Sequence, residues 1–451
     1  MKVVILGAGR RGIKLARRLA EENRDIIVLD EDPNAVEKAM QSIDCLGLVC
    51  TATNTDELEK TGIKDADAFI ALTGSDETNL VSCAIVSSLF KIPTTIATVK
   101  NISYTKTENL TGISHIVNPY QEVASHIKNE IEQGIFSDII SFENSKLIMY
   151  NIYVDKKSKF AGKVLKEVRN IVKSQFIVAA LSRKDKAVVP SGDTVIQEGD
   201  TLSVVIQSEN IEELMKVAGH RKTTLNRIAI AGSTNVTDFL LKELSKKARR
   251  HVMVIAKDRN ACIELSEKYP DTLIINDNIA SEGLFKRESI ENYDLFIGAT
   301  DNDELNIISA SYAKNTGVRS SLALLTKTPD YIIMSQHLGI DSVVSSQDIT
   351  ADAIAKYLHG TNIASMHSIF DGAIEVFEYK VPEESPLRSK MLKEINMRNK
   401  GIIAGVYKTT DNKSIIPSGT YVIETGDILT LAVERRSLEL VRQLLGISQE
   451  E

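Results

Sequence analysis

A glycine pattern near the N-terminus indicates how the first domain of this chain folds. An apolar, β-branched run over residues 3–6 ends in Gly7-Ala8-Gly9-Arg10-Arg11-Gly12, and apolar residues at helical spacing follow. A strand, a tight turn and a helix in this order are the context in which G-x-G-x-x-G binds the pyrophosphate of a dinucleotide. In that motif Gly7 permits the turn, Gly9 lets the backbone approach a phosphate, and Gly12 lets the helix pack close to the strand.

An acidic residue follows at the spacing that this motif requires. The second apolar run, residues 26–29, ends in Asp30. Dinucleotide-binding domains carry the acid that binds the ribose hydroxyls about 20 residues after the glycines. Strand, helix and acid together favour an adenine-nucleotide site over glycines that serve packing alone, with phosphate at the positive end of the helix. Arg10 and Arg11 lie at that end, where the dipole disfavours cations, so they are either phosphate ligands or exposed charges.

Strands alternate with helices up to residue 133, which predicts a doubly wound parallel sheet. Sheets of this kind bind ligands outside the carboxyl ends of their strands. Thr73, Asp76 and Asn79 could equally cap turns or helices there, and Lys100 could form an exposed ion pair. The candidate nucleotide-binding residues lie in the glycine turn and at the strand ends: Gly7, Ala8, Gly9, Arg10, Arg11, Gly12, Asp30, Glu31, Thr51, Ala52, Thr53, Thr73, Gly74, Asp76, Asn79 and Lys100.

The second half of the chain repeats the first. Residues 188–200 return as residues 415–427, and residues 70–79 return at the same offset as residues 297–306. Shared spacing in two separate stretches indicates a duplication with the architecture A–B–A′–B′. The fold class is therefore α/β, with two Rossmann-like, doubly wound parallel-sheet domains that are each followed by a small α+β domain. We predict the Rossmann-like domains at residues 1–133 and 221–368, and the small domains at residues 134–220 and 369–451.

The second copy has lost most of the glycine pattern. After its first apolar run it carries Gly232, but Thr234 and Thr237 stand where Gly9 and Gly12 stand in the first copy. Its second strand ends in Ala256 and therefore lacks the ribose acid. We expect the second Rossmann-like domain to keep the fold and to have lost or altered the nucleotide site, which leaves about one tight site per chain.

Taken together, these features resemble the RCK (KTN) family of cytosolic regulators of potassium channels and transporters. The resemblance covers nearly the whole chain and rests on the glycine turn with Asp30, on Asp65-Ala66-Asp67, on the turn at residues 73–79, and on the two Pro-Ser-Gly stretches of the small domains. It implies regulatory binding of NAD(H) or ATP/ADP and assembly into a homotetramer. It also implies docking on a membrane-embedded potassium transporter at the inner face of the cell membrane. The Gly232 loop departs from family members with two intact sites.

Composition argues against several other classes of protein. The net charge of −7, the 5% aromatic content and the absence of Trp disfavour a nucleic-acid binder, so the basic stretch of residues 246–251 is interpreted as a solvated helix end. The four cysteines form no C-x-x-C pair and the histidines no metal-binding pair, which indicates buried free thiols in a reducing cytoplasm and no metal. An apolar run of the roughly 18 residues that a span needs is missing, and the first strand begins too early for a signal peptide. We expect a cytoplasmic, peripheral protein.

Two function classes share the glycine pattern. The first is a regulatory protein in which nucleotide binding changes the shape of an assembly and so biases a transport gate. The alternative is an NAD-dependent oxidoreductase that uses the N-terminal domain. No acid–base constellation or substrate domain follows that domain, and a fold alone does not decide function. The sequence therefore favours the regulator, with no catalytic residue.

Overall fold

The computed structural model divides the chain into two compact units. One unit comprises residues 1–136 and 224–358, and the other comprises residues 137–223 and 359–450. The structure describes residues 1–22, 24–107, 112–133, 139–142, 144–155, 158–168, 171–184, 186–218, 225–327, 331, 338–358, 363–370, 372–397 and 400–446.

The chain begins with a six-stranded parallel sheet in the order β3-β2-β1-β4-β5-β6. This order reverses direction beside β1, which is the strand that leads into the glycine turn. The strands are β1 (Lys2–Leu6), β2 (Asp25–Asp30), β3 (Leu46–Val49), β4 (Ala68–Ala71), β5 (Thr94–Thr98) and β6 (His115–Val117). The helices are α1 (Arg10–Glu21), α2 (Pro33–Ser42), α3 (Thr55–Lys60), α4 (Asp76–Ile85) and α5 (Pro119–Gln133).

A five-stranded antiparallel sheet follows, in the order β10-β9-β11-β8-β7. Its strands are β7 (Ile139–Ser141), β8 (Leu147–Tyr153), β9 (Phe176–Arg183), β10 (Lys186–Val188) and β11 (Thr201–Gln207). Its helices are α6 (Leu165–Val168) and α7 (Ile211–Ala218).

The second parallel sheet repeats the strand order of the first, as β14-β13-β12-β15-β16-β17. Its strands are β12 (Ile228–Ala231), β13 (Val252–Ala256), β14 (Leu273–Asn276), β15 (Leu295–Gly298), β16 (Ser320–Leu325) and β17 (Ser342–Ser345). Its helices are α8 (Asn235–Glu243), α9 (Lys246–Arg249), α10 (Arg259–Lys268), α11 (Leu284–Arg287), α12 (Asp303–Thr316) and α13 (Ser346–Ala355).

The last sheet repeats the small antiparallel one, in the order β18-β19-β22-β20-β21. Its strands are β18 (Ile363–Ile369), β19 (Ile374–Lys380), β20 (Gly401–Lys408), β21 (Lys413–Ile415) and β22 (Ile428–Glu434), and helix α14 (Leu438–Leu445) follows them. The duplicated α/β architecture is thereby confirmed. Because β18 pairs with β19, residues 363–369 belong to the last sheet rather than to the second parallel-sheet domain. The predicted domain bounds themselves stay predictions.

The two parallel-sheet domains exchange a helix. Helix α5 follows β6 of the first sheet, yet its buried Val123, Ala124 and Ile127 belong to the apolar core of the second sheet. Helix α13 follows β17 of the second sheet, yet its buried Ala351 and Ile354 belong to the core of the first. Each half of the chain therefore completes the core of the other, and neither parallel-sheet domain is self-sufficient.

Within the residues that the structure describes, none of the helices has both the length and the apolar character needed to cross a membrane.

Candidate functional site

The glycine turn of the first domain is shaped by backbone contacts. Gly7 has φ +107° and donates its N–H to the carbonyl of Leu29 on β2 at 2.7 Å. A Cβ atom at Gly12 would stand 1.8 Å from the carbonyl oxygen of Gly7, so any side chain there would displace the helix. A Cβ atom at Gly9 would meet no non-neighbouring atom of the described chain within 4 Å. Gly12 thus serves packing, and Gly9 faces open space.

The N-terminus of α1 carries no side-chain cap. Its N-cap residue is Gly9, and no side chain accepts a hydrogen bond there. Neighbouring helices are capped, since Asp32 accepts from Asn34 before α2 and Ser75 accepts from Thr78 before α4. Helix N–H groups without an intrahelical partner, together with the helix dipole, form an anion site. The first turn of α1 is therefore the helix end of this sheet that suits a phosphate.

Asp30 is bound to the same turn. Its Oδ2 accepts the N–H of Ala8 at 2.7 Å, and its Oδ1 accepts the N–H of Asp32 at 3.0 Å. The carboxylate therefore ties the end of β2 to the glycine turn. Each carboxylate oxygen has a second lone pair that can accept a ribose hydroxyl. Glu31 follows it as an exposed residue.

The segment after β3 offers small side chains to the cleft. Ala52 is buried, whereas Thr51 and Thr53 are exposed. The N–H of Thr51 is held by Glu57 at 2.8 Å, and Asn54 caps α3. The adenosine side of the candidate site is therefore a fixed loop with exposed threonines.

Asn79 is committed to a clamp between two strand ends. Its Oδ1 accepts the N–H and the hydroxyl of Thr73 at 2.9 and 2.6 Å, and its Nδ2 donates to the carbonyl of Thr98 at 2.9 Å. The side chain is also buried. These bonds join the end of β4 to the end of β5.

Asp76 forms a second brace between the same strands. Its carboxylate accepts the N–H of Lys100 at 3.0 and 2.9 Å and the N–H of Asn101 at 2.9 Å. The ammonium of Lys100 in turn donates to the carbonyl of Gly74 at 2.6 Å. A Cβ atom at Gly74 would meet no non-neighbouring atom of the described chain within 4 Å, so the loop itself lies beside open space.

The second half contains the same two braces without the glycine pattern. Asn306 accepts from Thr300 and donates to the carbonyl of Leu324 at 2.8 Å. Asp303 accepts the N–H groups of Thr326 and Lys327 at 2.9 and 2.7 Å. Recurrence in the degenerate copy favours a structural role for the Asn79 and Asp76 side chains. Their assignment to nucleotide binding stays a prediction.

Sequence reasoning missed Tyr120, at the start of α5. The guanidinium of Arg11 lies over its ring, 5.8 Å from the ring centroid. Tyr120 also packs against the core of the second parallel sheet. No sequence signal pointed to it, because a tyrosine after a strand is an ordinary interface residue. Arg10 is exposed on the neighbouring helix position.

Side chains occupy the second glycine turn. Thr234 donates its hydroxyl to the carbonyl of Ala299 at 3.0 Å, and Thr237 donates to the carbonyl of Gly232 at 2.9 Å. On the ribose side, the amide of Asn276 donates to the carbonyls of Ala256 and Lys257 at 3.0 Å each. These bonds take up the polar groups at the strand ends that a ligand would use.

The surroundings of Cys50 and of the basic stretch indicate structural roles for both. Burial raises the pKa of the Cys50 thiol to about 11, with the nearby Glu57 carboxylate adding to the shift, so this thiol is poorly nucleophilic at neutral pH. Among the described residues no group of three His, Cys, Asp or Glu is placed to hold a metal. In the basic stretch, Arg249 donates to the carbonyls of Leu241 and Leu244 at the end of α8. This contact fits a helix end better than a nucleic-acid surface.

The comparison with protein families agrees with the duplicated fold. The TrkA-N domain matches residues 3–119 and 228–346, and the TrkA-C domain matches residues 149–219 and 376–446. The chain belongs to the TrkA family. The two TrkA-N matches contain the two parallel sheets, and the two TrkA-C matches lie in the small antiparallel domains.

Curated TrkA proteins match over most or all of their length. The chain is 28% identical to the Trk system potassium uptake protein TrkA homolog 1 of Methanosarcina mazei, over 95% of this chain and 96% of that one. It is 27% identical to TrkA of Halomonas elongata, over 99% of both chains. Among solved structures, the GsuK RCK domain superposes with a TM-score of 0.60 at 17% identity, over 99% of this chain and 95% of that one. This likeness shows that the chain has the RCK fold.

Proposed function

We propose that this TrkA-family chain is a nucleotide-sensing regulatory subunit of a membrane potassium-uptake system. It binds NAD(H) or ATP/ADP and thereby gates a TrkH- or TrkG-like transporter. The observation that carries the proposal is the first glycine turn, with its uncapped helix N-terminus, the open space beside Gly9, and Asp30 against the turn. The full-length match to Trk potassium-uptake proteins supports the link to transport.

The site in this proposal lies at the carboxyl ends of β1 to β4. Phosphates bind the first turn of α1 with Arg10 or Arg11, the ribose binds Asp30, and the adenine lies towards residues 51–53. Gly74 and Lys100 border the cleft on the other side. A channel that shares the fold, GsuK, has a solved structure bound to NAD. The residues of this chain, rather than that fold likeness, support the nucleotide proposal.

The proposal assigns one tight site to each chain. Thr234 and Thr237 occupy the second turn, and Ala256 provides no carboxylate there. The second half then serves assembly and transmission.

As an RCK-type assembly the chain forms a homotetramer on the inner face of the membrane. Regulation requires the bound nucleotide to favour one gate state, because a ligand with equal affinity for both states does not shift the equilibrium between them.

The first prediction concerns Asp30. Asp30→Ala is expected to weaken both NADH and ATP by about 10- to 100-fold, because both carry the adenosine ribose and because the N–H of Ala8 loses its acceptor. In the unmodified chain, NADPH is expected to bind much more weakly than NADH, since its 2′-phosphate meets the Asp30 carboxylate. Calorimetric titration of the full-length protein with all three ligands measures both effects.

The matched control is Asp258→Ala. Asp258 caps α10 in the second half as Asp32 caps α2 in the first, and it is an acid outside the proposed site. Its loss is expected to leave nucleotide affinity unchanged. Equal affinities for NADPH and NADH at moderate salt would contradict the role of Asp30 in ribose selection.

The alternative function, an NAD-dependent oxidoreductase, predicts turnover. We expect none: the purified protein with NADH and a panel of carbonyl compounds leaves the cofactor reduced. The described residues around the glycine turn include carboxylates and amides that are committed to backbone groups, such as Asp76 and Asn79. A substrate-dependent loss of NADH absorbance that requires the protein would favour the oxidoreductase instead.

A further inference from the structure

Helix α1 carries three cations in a row. Arg10, Lys14 and Arg18 are spaced four residues apart, so they lie on one face of the helix, starting at its N-terminus. Like charges at this spacing destabilise a helix, and Arg10 also faces the positive end of the dipole. The sequence therefore accumulates positive charge along the helix that leads into the first nucleotide site.

Two of the three cations are neutralised by the second half of the chain. The ammonium of Lys14 lies 2.6 Å from a carboxylate oxygen of Asp348, and Arg18 pairs with Asp352. Both carboxylates stand four residues apart on α13, the helix that the second half exchanges into the first core. Arg18 also lies 3.8 Å from Glu22 on its own helix. Within the described residues, Arg10 makes no ion pair.

The row of cations on α1 and its carboxylate partners on α13 lie beside the intact glycine turn. In the repeat, Phe239 and Glu243 on α8 stand where Lys14 and Arg18 stand on α1, and Ser125 on α5 stands where Asp352 stands on α13. A hydrogen bond from the hydroxyl of Ser125 to Glu243 at 2.6 Å joins these two helices. The row of cations and its carboxylate partners thus occur beside the intact glycine turn, and the corresponding positions of the degenerate half carry neither.

We propose that α13 of the second half regulates the first nucleotide site by neutralising the cations of α1. This inference rests on the proposed function, because it assigns a regulator to that same site. Lys14 lies one helical turn from Arg10, about 6 Å along the axis. Asp348 therefore stands within the screening distance of phosphates at the turn and lowers the positive potential that attracts them. Ligand phosphate and the α13 carboxylates then compete for the same row of cations.

Competition of this kind couples the two halves of the chain. If Asp348 lowers the affinity for phosphate, then by linkage phosphate lowers the affinity of α1 for α13. Binding of ATP to the first domain is thus expected to loosen the helix that the second half contributes to its core. A nucleotide signal would in this way reach the second half without a second nucleotide site.

The test compares ATP with adenosine in the full-length protein by calorimetry at low salt. Asp348→Asn is expected to raise the affinity for ATP about three- to tenfold, because it removes one negative charge from the neighbourhood of the phosphates. Adenosine affinity is expected to stay unchanged, since adenosine carries no charge. Lys14→Gln is expected to weaken ATP, and the double variant Lys14→Gln with Asp348→Asn is expected to return to the unmodified affinity.

The double variant separates charge from structure. If the pair merely held α1 in place, both single variants and the double variant would weaken ATP and adenosine alike, and the proposal would be wrong. The control is Asp238→Asn, which removes another second-half aspartate that lies 2.6 Å from a lysine, Lys268, away from α1; it is expected to leave ATP affinity unchanged. Unchanged ATP affinity in Asp348→Asn overturns this inference alone. Absence of nucleotide binding in the unmodified chain overturns the proposed function, and this inference with it.

Discussion

Gly12→Ala is expected to remove tight nucleotide binding and to destabilise the first parallel-sheet domain. The new methyl group would stand 1.8 Å from the carbonyl oxygen of Gly7, so α1 must move away from the turn. Overpacking of this kind costs about 1–3 kcal/mol. A displaced α1 no longer presents its N-terminal N–H groups to the phosphates, and we expect a loss of roughly 100-fold in affinity for NADH and ATP, since two charge-assisted hydrogen bonds are worth about that much. Thermal unfolding and calorimetry measure the two effects.

Gly9→Ala is the matched variant. Its methyl group would enter free space in the described part of the chain, so stability is expected to fall only by about 1 kcal/mol, the typical cost of placing alanine at an N-cap. Nucleotide affinity is nevertheless expected to fall, because the methyl group stands where the pyrophosphate approaches. Tight binding of one nucleotide per chain that survives both variants would place the site elsewhere, with the second half as the first candidate.

Ile354→Ala lies in the second half of the chain, yet it is expected to destabilise the parallel sheet of the first half. Ile354 lies on α13 of the second half, is fully buried, and belongs to the core of the first sheet. Truncation of a buried isoleucine costs about 2–5 kcal/mol. Hydrogen exchange is therefore expected to speed up in β1 to β6 more than in β12 to β17.

The mirror variant is Ile127→Ala on α5. Ile127 is also fully buried, and it belongs to the core of the second sheet. The faster exchange is expected in β12 to β17, although the substitution lies in the first half of the chain. If each variant instead loosened the sheet of its own half, the helix exchange would be wrong.

Because the two halves exchange a helix, nucleotide binding at the two glycine turns must be compared in the full-length chain. Residues 1–220 and 221–451 would look like natural fragments from the repeat alone. Produced separately, the first would lack Ile354 and its neighbours, and the second would lack Ile127 and its neighbours. Differences in nucleotide binding between such fragments would reflect the missing core residues rather than the two glycine turns. Point variants in the full-length chain avoid this problem.

Local sequence patterns were sufficient for the fold of each domain. A strand that ends in Gly7, a helix that needs Gly12 against the turn, and Asp30 at the end of the next strand are short-range features whose conformations follow from steric limits and strand–helix alternation. The loss of the second glycine pattern could also be predicted from the sequence, because Thr234 and Thr237 change the local packing of the turn independently of tertiary contacts. The duplication followed from two stretches at one offset.

Tertiary structure decided which sheet each exchanged helix covers and which polar groups remain open. An amphipathic helix such as α5 shows in sequence that one face is buried, but either parallel sheet offers an apolar surface of the same kind. Polar residues at strand ends are equally ambiguous, since an amide such as Asn79 can bind a ligand or join two strands. Asp348 on α13 lies far from Lys14 in sequence, and their approach depends on the exchange. Periodicity and composition encode burial and charge, whereas the choice of partner depends on distances that the folded chain alone sets.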